Sequence, residues 1–247
     1  MDDARRFEDV EVDCLRTLYE AAGAAGHRGR FERIGDGAAW AIEGEPAIAM
    51  AVALGLSDEP IREVDLAEGF FESVRAPARF DVASIAHPDL AVELALRGYQ
   101  PRRVNRLLFT PIASLTPPPL AHTVERIDPD EWCRVGSEGF PASSALLFAC
   151  LARQRNAVRV GARIDGHLVG TGLLTRRGDI ALFSAASVLE QWRGQQVHGS
   201  LFRARLDVAR EWGLSHAAYT CGPGTISERN ATRWGLRPIA ERTLYSR

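Results

Sequence analysis

The stretch that decides the fold of this chain is Ser187–Leu201, which reads SVLEQWRGQQVHGSL. The apolar segment Ile180–Val188 predicts a strand, and a helix is predicted from about Val197 to Trp212. The short loop between them carries Arg193 and Gly194. The first N–H groups of a helix lack intrahelical partners and lie at the positive end of its dipole, so they suit a phosphate. Taken alone, these residues leave two interpretations open, a phosphate site and an ordinary strand–loop–helix connection.

A second informative stretch is Pro223–Leu236, which reads PGTISERNATRWGL. It predicts a last helix from about Glu228 to Trp234 that ends at Gly235. Ser227 is the predicted N-cap of this helix, because a serine hydroxyl can accept a hydrogen bond from a backbone N–H of the first turn. Asn230 lies one turn further on.

Together, the two stretches resemble motifs of the GCN5-related N-acetyltransferase (GNAT) superfamily. The first is similar to the acetyl-CoA motif Q/R-x-x-G-x-G/A, and the second to the pattern P-G-S-x-S-x-R-N-x-x-R-x-G-F of one branch. The resemblance covers the chain from about Leu168 onward. It implies that the strand end contacts the pantetheine arm of acetyl-CoA, the expected cosubstrate, and that the loop wraps the pyrophosphate. The residues implied to bind acetyl-CoA are Ser187, Val188, Leu189, Arg193, Gly194, Gln195, Gln196, Val197, His198, Gly199, Ser200, Ser227 and Asn230.

Two residues depart from the family pattern, since Gln196 and His198 stand where the family usually has glycines. Backbone N–H groups hold most of the anion in such loops, and any residue except proline supplies one. Gln196 could donate its side-chain amide, and His198 could add an N–H or a charge. The alternative is that both side chains point away from the phosphate.

The resemblance identifies fewer catalytic groups than binding groups. Many family members have a tyrosine four residues before the final glycine of the last helix, and Ala231 takes that position here. Tyr219 and Tyr245 are candidates for the general acid, and Glu190 is a candidate for a base that acts through a water. The resemblance implies that the N–H of Val188 stabilises the oxyanion. A neutral amine can also attack the thioester directly, with most of the rate coming from positioning.

Two domains are predicted because Pro111, Pro117, Pro118 and Pro119 interrupt any regular element between them. We expect a first domain over 1–112, a proline-rich linker over 113–123 and an acetyl-CoA-binding domain over 124–247. Further helices are predicted over 10–25, 61–74, 88–98 and 128–140, and further strands over 40–43, 47–54, 80–85, 104–109, 158–164, 168–174, 217–221 and 243–246. Each half therefore reads as an α/β (α+β) fold, a mixed and mostly antiparallel sheet flanked by helices.

The first half resembles a degenerate GNAT-like domain of tandem acetyltransferases. The resemblance rests on the order of elements and on Pro88–Gly98, PDLAVELALRG, which is followed by Tyr99. Its counterpart of the phosphate loop, Leu56–Glu68, carries five carboxylates that would repel a pyrophosphate. We therefore expect that this half does not bind CoA.

Composition excludes several other classes of protein. The 247 residues are 46% hydrophobic and 25% charged, which is typical of globular domains. A net charge of -2 gives no basic field for nucleic acid. No apolar run is long enough for a membrane helix, and MDDARRFEDV is not a secretory signal, so we expect a cytoplasmic protein without a membrane partner. Cysteine and histidine spacing predicts no metal site. We expect a monomer, because a tandem repeat can replace a dimer.

The leading hypothesis is an N-acetyltransferase that moves an acetyl group from acetyl-CoA to a primary amine of a small molecule or peptide. The alternative is a non-catalytic CoA-binding or interaction module with a degenerate active site. A third hypothesis is a scaffold without a ligand. The first predicts turnover, the second CoA binding without turnover, and the third no CoA binding.

Overall fold

The computed structural model describes residues 2–247, apart from the side chains of Pro46 and Ala47. In chain order its elements are α1 (Asp3–Ala24), β1 (Gly29–Ile34), β2 (Gly37–Ile42), β3 (Glu45–Val52), α2 (Pro60–Ser73), β4 (Arg79–Ala83), α3 (Pro88–Leu96), β5 (Gln100–Pro111), β6 (Thr123–Arg126), α4 (Pro129–Glu138), α5 (Ala145–Ala152), β7 (Ala157–Ile164), β8 (His167–Arg177), β9 (Ile180–Val188), α6 (Val197–Glu211), β10 (His216–Cys221), α7 (Ile226–Arg233) and β11 (Pro238–Ser246). Within residues 2–247, none of these helices combines the length and the apolar character that crossing a bilayer requires.

The chain forms two compact units, and each of them is discontinuous in sequence. The first unit comprises the chain up to Leu107 together with Cys221–Pro223 and Pro238–Arg247. The second comprises Leu108–Thr220 and Gly224–Arg237. These units do not follow the predicted domain boundaries. Residues 108–112 and the predicted linker 113–123 belong to the second unit, whereas Cys221–Pro223 and the last ten residues belong to the first.

The first unit contains the strand order β1-β2-β3-β4-β11-β5. Strand β3 runs parallel to β4, whereas β1/β2, β2/β3 and β4/β11 are antiparallel. Every residue of β2 is buried, which explains its continuous apolar sequence GAAWAI. The core includes Phe71, Phe80 and Tyr99, whose rings meet edge to face.

The second unit contains the strand order β5-β10-β9-β8-β7-β6. Strands β6 to β9 form an antiparallel meander, and β10 runs parallel to β9. Helix α4 begins as the sequence predicts, with Asp128 accepting hydrogen bonds from the N–H groups of Asp130 and Glu131 at 2.9 Å and Pro129 in the first turn. Trp132 of α4 anchors this helix to the sheet, because its Nε1 donates to the carbonyl of Gly172 at 3.1 Å. The predicted fold class, mixed and mostly antiparallel sheet flanked by helices, is confirmed.

Candidate functional site

Strands β9 and β10 diverge in the second unit. Their parallel register runs from the Ile180–His216 pair to the Phe183–Tyr219 pair, where it ends within the described residues. Strand β9 continues for five more residues, to Val188, and stays paired with β8 on its other side. From Ser184 onward, β9 therefore has an open edge that faces away from β8.

The peptide group of Val188 points to this open edge. Leu189 donates its N–H to the carbonyl of Val169 at 3.0 Å, so the neighbouring Gly170–Val188 pair is a non-hydrogen-bonded pair of the antiparallel ladder. The Val188 carbonyl accepts a hydrogen bond from Nε of Arg193 at 3.3 Å on that side. By the same alternation, the peptide groups of Ser187 face β8. The Ser187 side chain is buried and lies against Gly139, where a Cβ would collide with its hydroxyl.

The loop between β9 and α6 exposes the start of the helix. A short 3₁₀ turn covers Glu190–Trp192, and Gly194 and Gln196 follow with positive φ angles of 81° and 62°. The first α-helical bond runs from the N–H of Ser200 to the carbonyl of Gln196 at 3.1 Å. The preceding N–H groups, those of Val197, His198 and Gly199, therefore open the helix without intrahelical acceptors. The side chains of Arg193, Gln195 and Gln196 are exposed around them.

The side chain of His198 points away from the loop, into the contact between α6 and α7. Its ring lies 5.3 Å from the ring of Trp234, and Nδ2 of Asn230 lies 3.4 Å from its Nδ1. Burial, with a smaller contribution from the charge of Arg205, lowers the pKa of His198 to about 4. The imidazole is therefore neutral near pH 7. Of the two alternatives that the sequence leaves for His198, the structure favours the one in which the side chain points away from the loop.

The predicted linker lies along the first turn of α6. The Ser200 hydroxyl is fully buried and accepts hydrogen bonds from the N–H groups of Ala121 at 3.0 Å and His122 at 3.2 Å. Nε2 of His122 donates to the carbonyl of Gln195. A Cβ on Gly199 would lie 3.5 Å from Pro118. Ser200 thus holds this proline-rich segment on the helix, a role that the sequence did not indicate.

Helix α7 begins at Ile226, two residues before the predicted start at Glu228. Its N-cap is Thr225, whose hydroxyl accepts from the N–H of Glu228 at 3.2 Å, so the assignment of Ser227 as N-cap is corrected. Ser227 is the second residue of the helix, and its hydroxyl lies 2.6 Å from that of Tyr219 at the end of the paired part of β10. Ala231 is fully buried.

The two other predicted catalytic side chains lie elsewhere. Glu190 is exposed at the start of the 3₁₀ turn. Tyr245 is in β11, paired with Phe80, and packs against the core of the first unit. Of the two candidate tyrosines, Tyr219 is the one whose hydroxyl contacts the start of α7, at Ser227.

In the first unit, a carboxylate occupies the turn that precedes α2. Glu63 is buried, and it accepts hydrogen bonds from the N–H of Gly55 and from the hydroxyl of Ser57, the latter at 2.6 Å. A side-chain anion thus uses donors that an external anion would need. This arrangement supports the expectation that the first half does not bind CoA.

No model of a known protein family matches this chain, and no curated protein matches it. Solved structures do match. A GCN5-related N-acetyltransferase from Kribbella flavida is similar over 100% of this chain and 96% of its own, with 17% identity and a TM-score of 0.74. A tandem GNAT protein from the clavulanic acid biosynthesis pathway covers 89% of this chain and 83% of its own, with 17% identity and a TM-score of 0.62. A GCN5-related N-acetyltransferase from Sphaerobacter thermophilus covers 85% of this chain and 76% of its own, with 17% identity and a TM-score of 0.61. This chain therefore has the fold of the GCN5-related N-acetyltransferases.

Proposed function

We propose that this protein is an acetyl-CoA-dependent N-acetyltransferase that acts on a primary amine of a small molecule or peptide. One observation carries the proposal. Strand β9 leaves β10 beside the open N-terminus of α6, and the Val188 peptide group faces the resulting gap. The similarity in fold to solved N-acetyltransferases supports the same activity.

Acetyl-CoA fits the donors of the second unit. The N–H groups of Val197, His198 and Gly199 and the positive end of the α6 dipole suit its pyrophosphate, and the exposed Arg193 adds a positive charge. The side chains that replace the usual glycines do not block these donors, because Gln196 is exposed and His198 points toward α7. The pantetheine arm would then run along the open edge of β9.

The chain's own groups suffice for acetyl transfer by direct attack. A neutral amine attacks the thioester carbonyl carbon, the new C–N bond forms, and the C–S bond breaks. The Val188 N–H would donate to the carbonyl oxygen as negative charge builds on it. The Tyr219 hydroxyl, next to Ser227, would protonate the departing thiolate. The nitrogen would release its proton to water, and the tyrosinate would take a proton back from water.

Isothermal titration with acetyl-CoA tests the binding half of this proposal. Arg193→Glu should weaken binding by tenfold or more, or about 1.4 kcal/mol, because a carboxylate then faces the pyrophosphate. Arg176→Glu is a matched control, since this exposed arginine lies at the opposite end of the β8–β9 hairpin. If both charge reversals weakened binding equally, the effect would be one of overall charge. The proposal that this loop binds the pyrophosphate would then be rejected.

A panel of primary amines with the same protein tests the transferase half. The buried Ala231 and the exposed Glu190 favour one competing function, a CoA-binding module without catalysis. Binding without turnover on every amine would support that module. If acetyl-CoA did not bind at millimolar concentration, both the transferase and the CoA-binding module would be rejected. The remaining hypothesis would be a scaffold without a ligand.

A further inference from the structure

A fully buried arginine lies under the open part of β9. Arg205, in the third turn of α6, has no exposed surface. Its Nε donates to the carbonyl of Leu201 at 3.0 Å, within the helix, and its guanidinium carbon lies 5.4 Å from the centre of the Phe183 ring. Among the described residues no carboxylate pairs with it, and burial lowers its pKa to about 10. Such an uncompensated cation is costly in a core, so its position calls for a specific reason.

The carbonyl partners of Arg205 are at a β-bulge. Nη1 donates to the carbonyl of Leu173 at 3.1 Å and to that of Ser184 at 3.2 Å. These two residues pair across β8 and β9, but the next pair is Thr171 with Ser187. Two residues of β9, Ala185 and Ala186, therefore oppose the single residue Gly172 of β8. Ala185 has a positive φ of 47°, so the backbone leaves the extended conformation at the bulge.

The guanidinium of Arg205 supplies hydrogen-bond donors to backbone carbonyl groups at the bulge. A bulge interrupts the ladder and leaves carbonyl groups without their usual partners, and a buried carbonyl without a donor costs about 1–3 kcal/mol. The planar guanidinium can serve two such acceptors from one atom. Gly172 makes room for it, because a Cβ at that position would lie 3.0 Å from both Cζ and Nε of Arg205.

The bulge sets the direction of the strand end that follows it. Val188 is two residues beyond the bulged pair, and its peptide group reaches the open edge only in the register that the bulge creates. We propose that Arg205 is a positioning residue for acetyl transfer, which fixes the Val188 N–H by binding the two carbonyl groups at the bulge. This inference rests on the proposed function.

Two variants, Arg205→Met and Arg205→Lys, distinguish a role in positioning the Val188 N–H from a role in core packing alone. Methionine keeps the apolar stem and removes every donor, whereas lysine keeps a charge and donors that can reach one or both carbonyls. We expect Arg205→Met to lower kcat about 10²-fold, in line with a small misplacement of a reacting group, while Kd for acetyl-CoA changes less than threefold. Arg205→Lys should recover at least a tenth of the lost rate. Arg203→Met is the matched control, because Arg203 lies on the same helix and pairs with Asp207 at the surface.

A folded Arg205→Met protein with kcat within threefold of the wild type would overturn the inference, as would equal losses in the Arg203→Met control. If Arg205→Met does not fold, Gly172→Ala provides the second test, since its Cβ displaces the guanidinium without removing it. The same fall in kcat supports the inference, and unchanged kcat overturns it.

Amide hydrogen exchange tests the role of Arg205 without relying on the proposed function. Even if the wild type acetylates no amine, the exchange rates of Ala185–Val188 measure how firmly the bulge is held. Faster exchange there in Arg205→Met, with β7 unchanged, would support the structural role of Arg205 even though the transferase proposal had failed. Unchanged exchange in that segment would reject the role of Arg205 independently of any activity.

Discussion

The Tyr219 hydroxyl offers a direct test of the proposed proton transfer. It lies 2.6 Å from the Ser227 hydroxyl, at the point where β10 stops pairing with β9. Tyr219→Phe should lower kcat about 10²-fold with little change in KM, because general acid catalysis of this kind contributes at least that much. Steady-state kinetics with the best amine acceptor measures the effect. Tyr245→Phe is the matched control, since that tyrosine packs in the first unit, and an equal loss there would contradict the assignment.

His198 predicts a dependence of stability on pH. Its pKa is about 4 in the folded protein against about 6.5 when exposed, so the unfolded chain takes up a proton that the folded chain refuses. Its contribution is therefore present above pH 6.5 and is lost as the pH falls toward 4. Between pH 7 and pH 5 this residue should remove roughly 2 kcal/mol of unfolding free energy. Urea unfolding at both pH values should show a drop that is smaller by this amount in His198→Gln.

The exposed His167 supplies the control for that experiment. His167→Gln should keep the full drop between pH 7 and pH 5, since an exposed ring has no comparable burial. A His198→Gln protein that loses as much stability as the wild type would show that the ring is not held neutral by burial.

Some features of the candidate site could be predicted from the sequence and others could not. The loop from Arg193 to Ser200 follows from a local pattern, a strand end followed by glycine and a helix start. Arg205 gave no signal, because an arginine in a helix ordinarily extends into solvent, and only the bulge in a neighbouring strand explains its burial. Ser227 and Thr225 both suit an N-cap, and the choice between them depends on tertiary contacts such as that with Tyr219.

The proline-rich segment before β6 is fixed to α6 by a serine, Ser200. Ser200→Ala should lower the unfolding free energy by about 1–3 kcal/mol, because the N–H groups of Ala121 and His122 lose their acceptor. Hydrogen exchange at Ala121 and His122 should also become faster. Ser143→Ala, at an exposed position, is the control and should change stability by less than 0.5 kcal/mol. Unchanged exchange in Ser200→Ala would mean that the segment is held by other contacts.

Element boundaries were predictable where the hydrophobic pattern is regular. The predicted strand Ile180–Val188 coincides with β9, and Val197 begins α6 as expected. Helix α5 was not predicted, because ALLFACLA is apolar on nearly every position and eight residues are too few to show a helical period. Strand β6 was also missed, since it has only four residues, and its side chains are exposed or half-buried.

The sequence predicted two halves but not which residues belong to each. A run of prolines indicated a boundary over 113–123, whereas the chain passes from the first compact unit to the second within β5, after Leu107. Strand β11 follows the last helix of the second unit, yet it pairs with β4 of the first unit's sheet. Nothing in the local pattern of Pro238–Ser246 says which sheet it joins, because strand pairing is decided by distant residues.

The membership of β11 in the first unit makes Arg242 a residue on which that unit's stability depends. Arg242 is 2% exposed and bonds Glu8 at 2.7 Å, with Glu11 at 3.4 Å and Asp81 at 3.7 Å. Arg242→Met should lower the unfolding free energy by about 3–5 kcal/mol at pH 7.5, because it leaves buried carboxylates without a cation. Arg106→Met, which breaks a more exposed ion pair with Glu241 on the same strand, should cost less than about 1 kcal/mol.

For Arg242→Met we also predict how the loss of unfolding free energy changes with pH. Burial raises the pKa of Glu8 and of Asp81, so the folded state holds protons that the unfolded chain has already released, and ionisation above that range costs stability. Arg242 offsets this cost in the wild type. In Arg242→Met, acid should relieve the strain by protonating the carboxyls, so the loss of stability should be largest at pH 7.5 and clearly smaller at pH 5. Urea unfolding at the two pH values measures the difference. A loss that is the same at both, or that grows in acid, would mean that the carboxylates find another cation or water once Arg242 is gone.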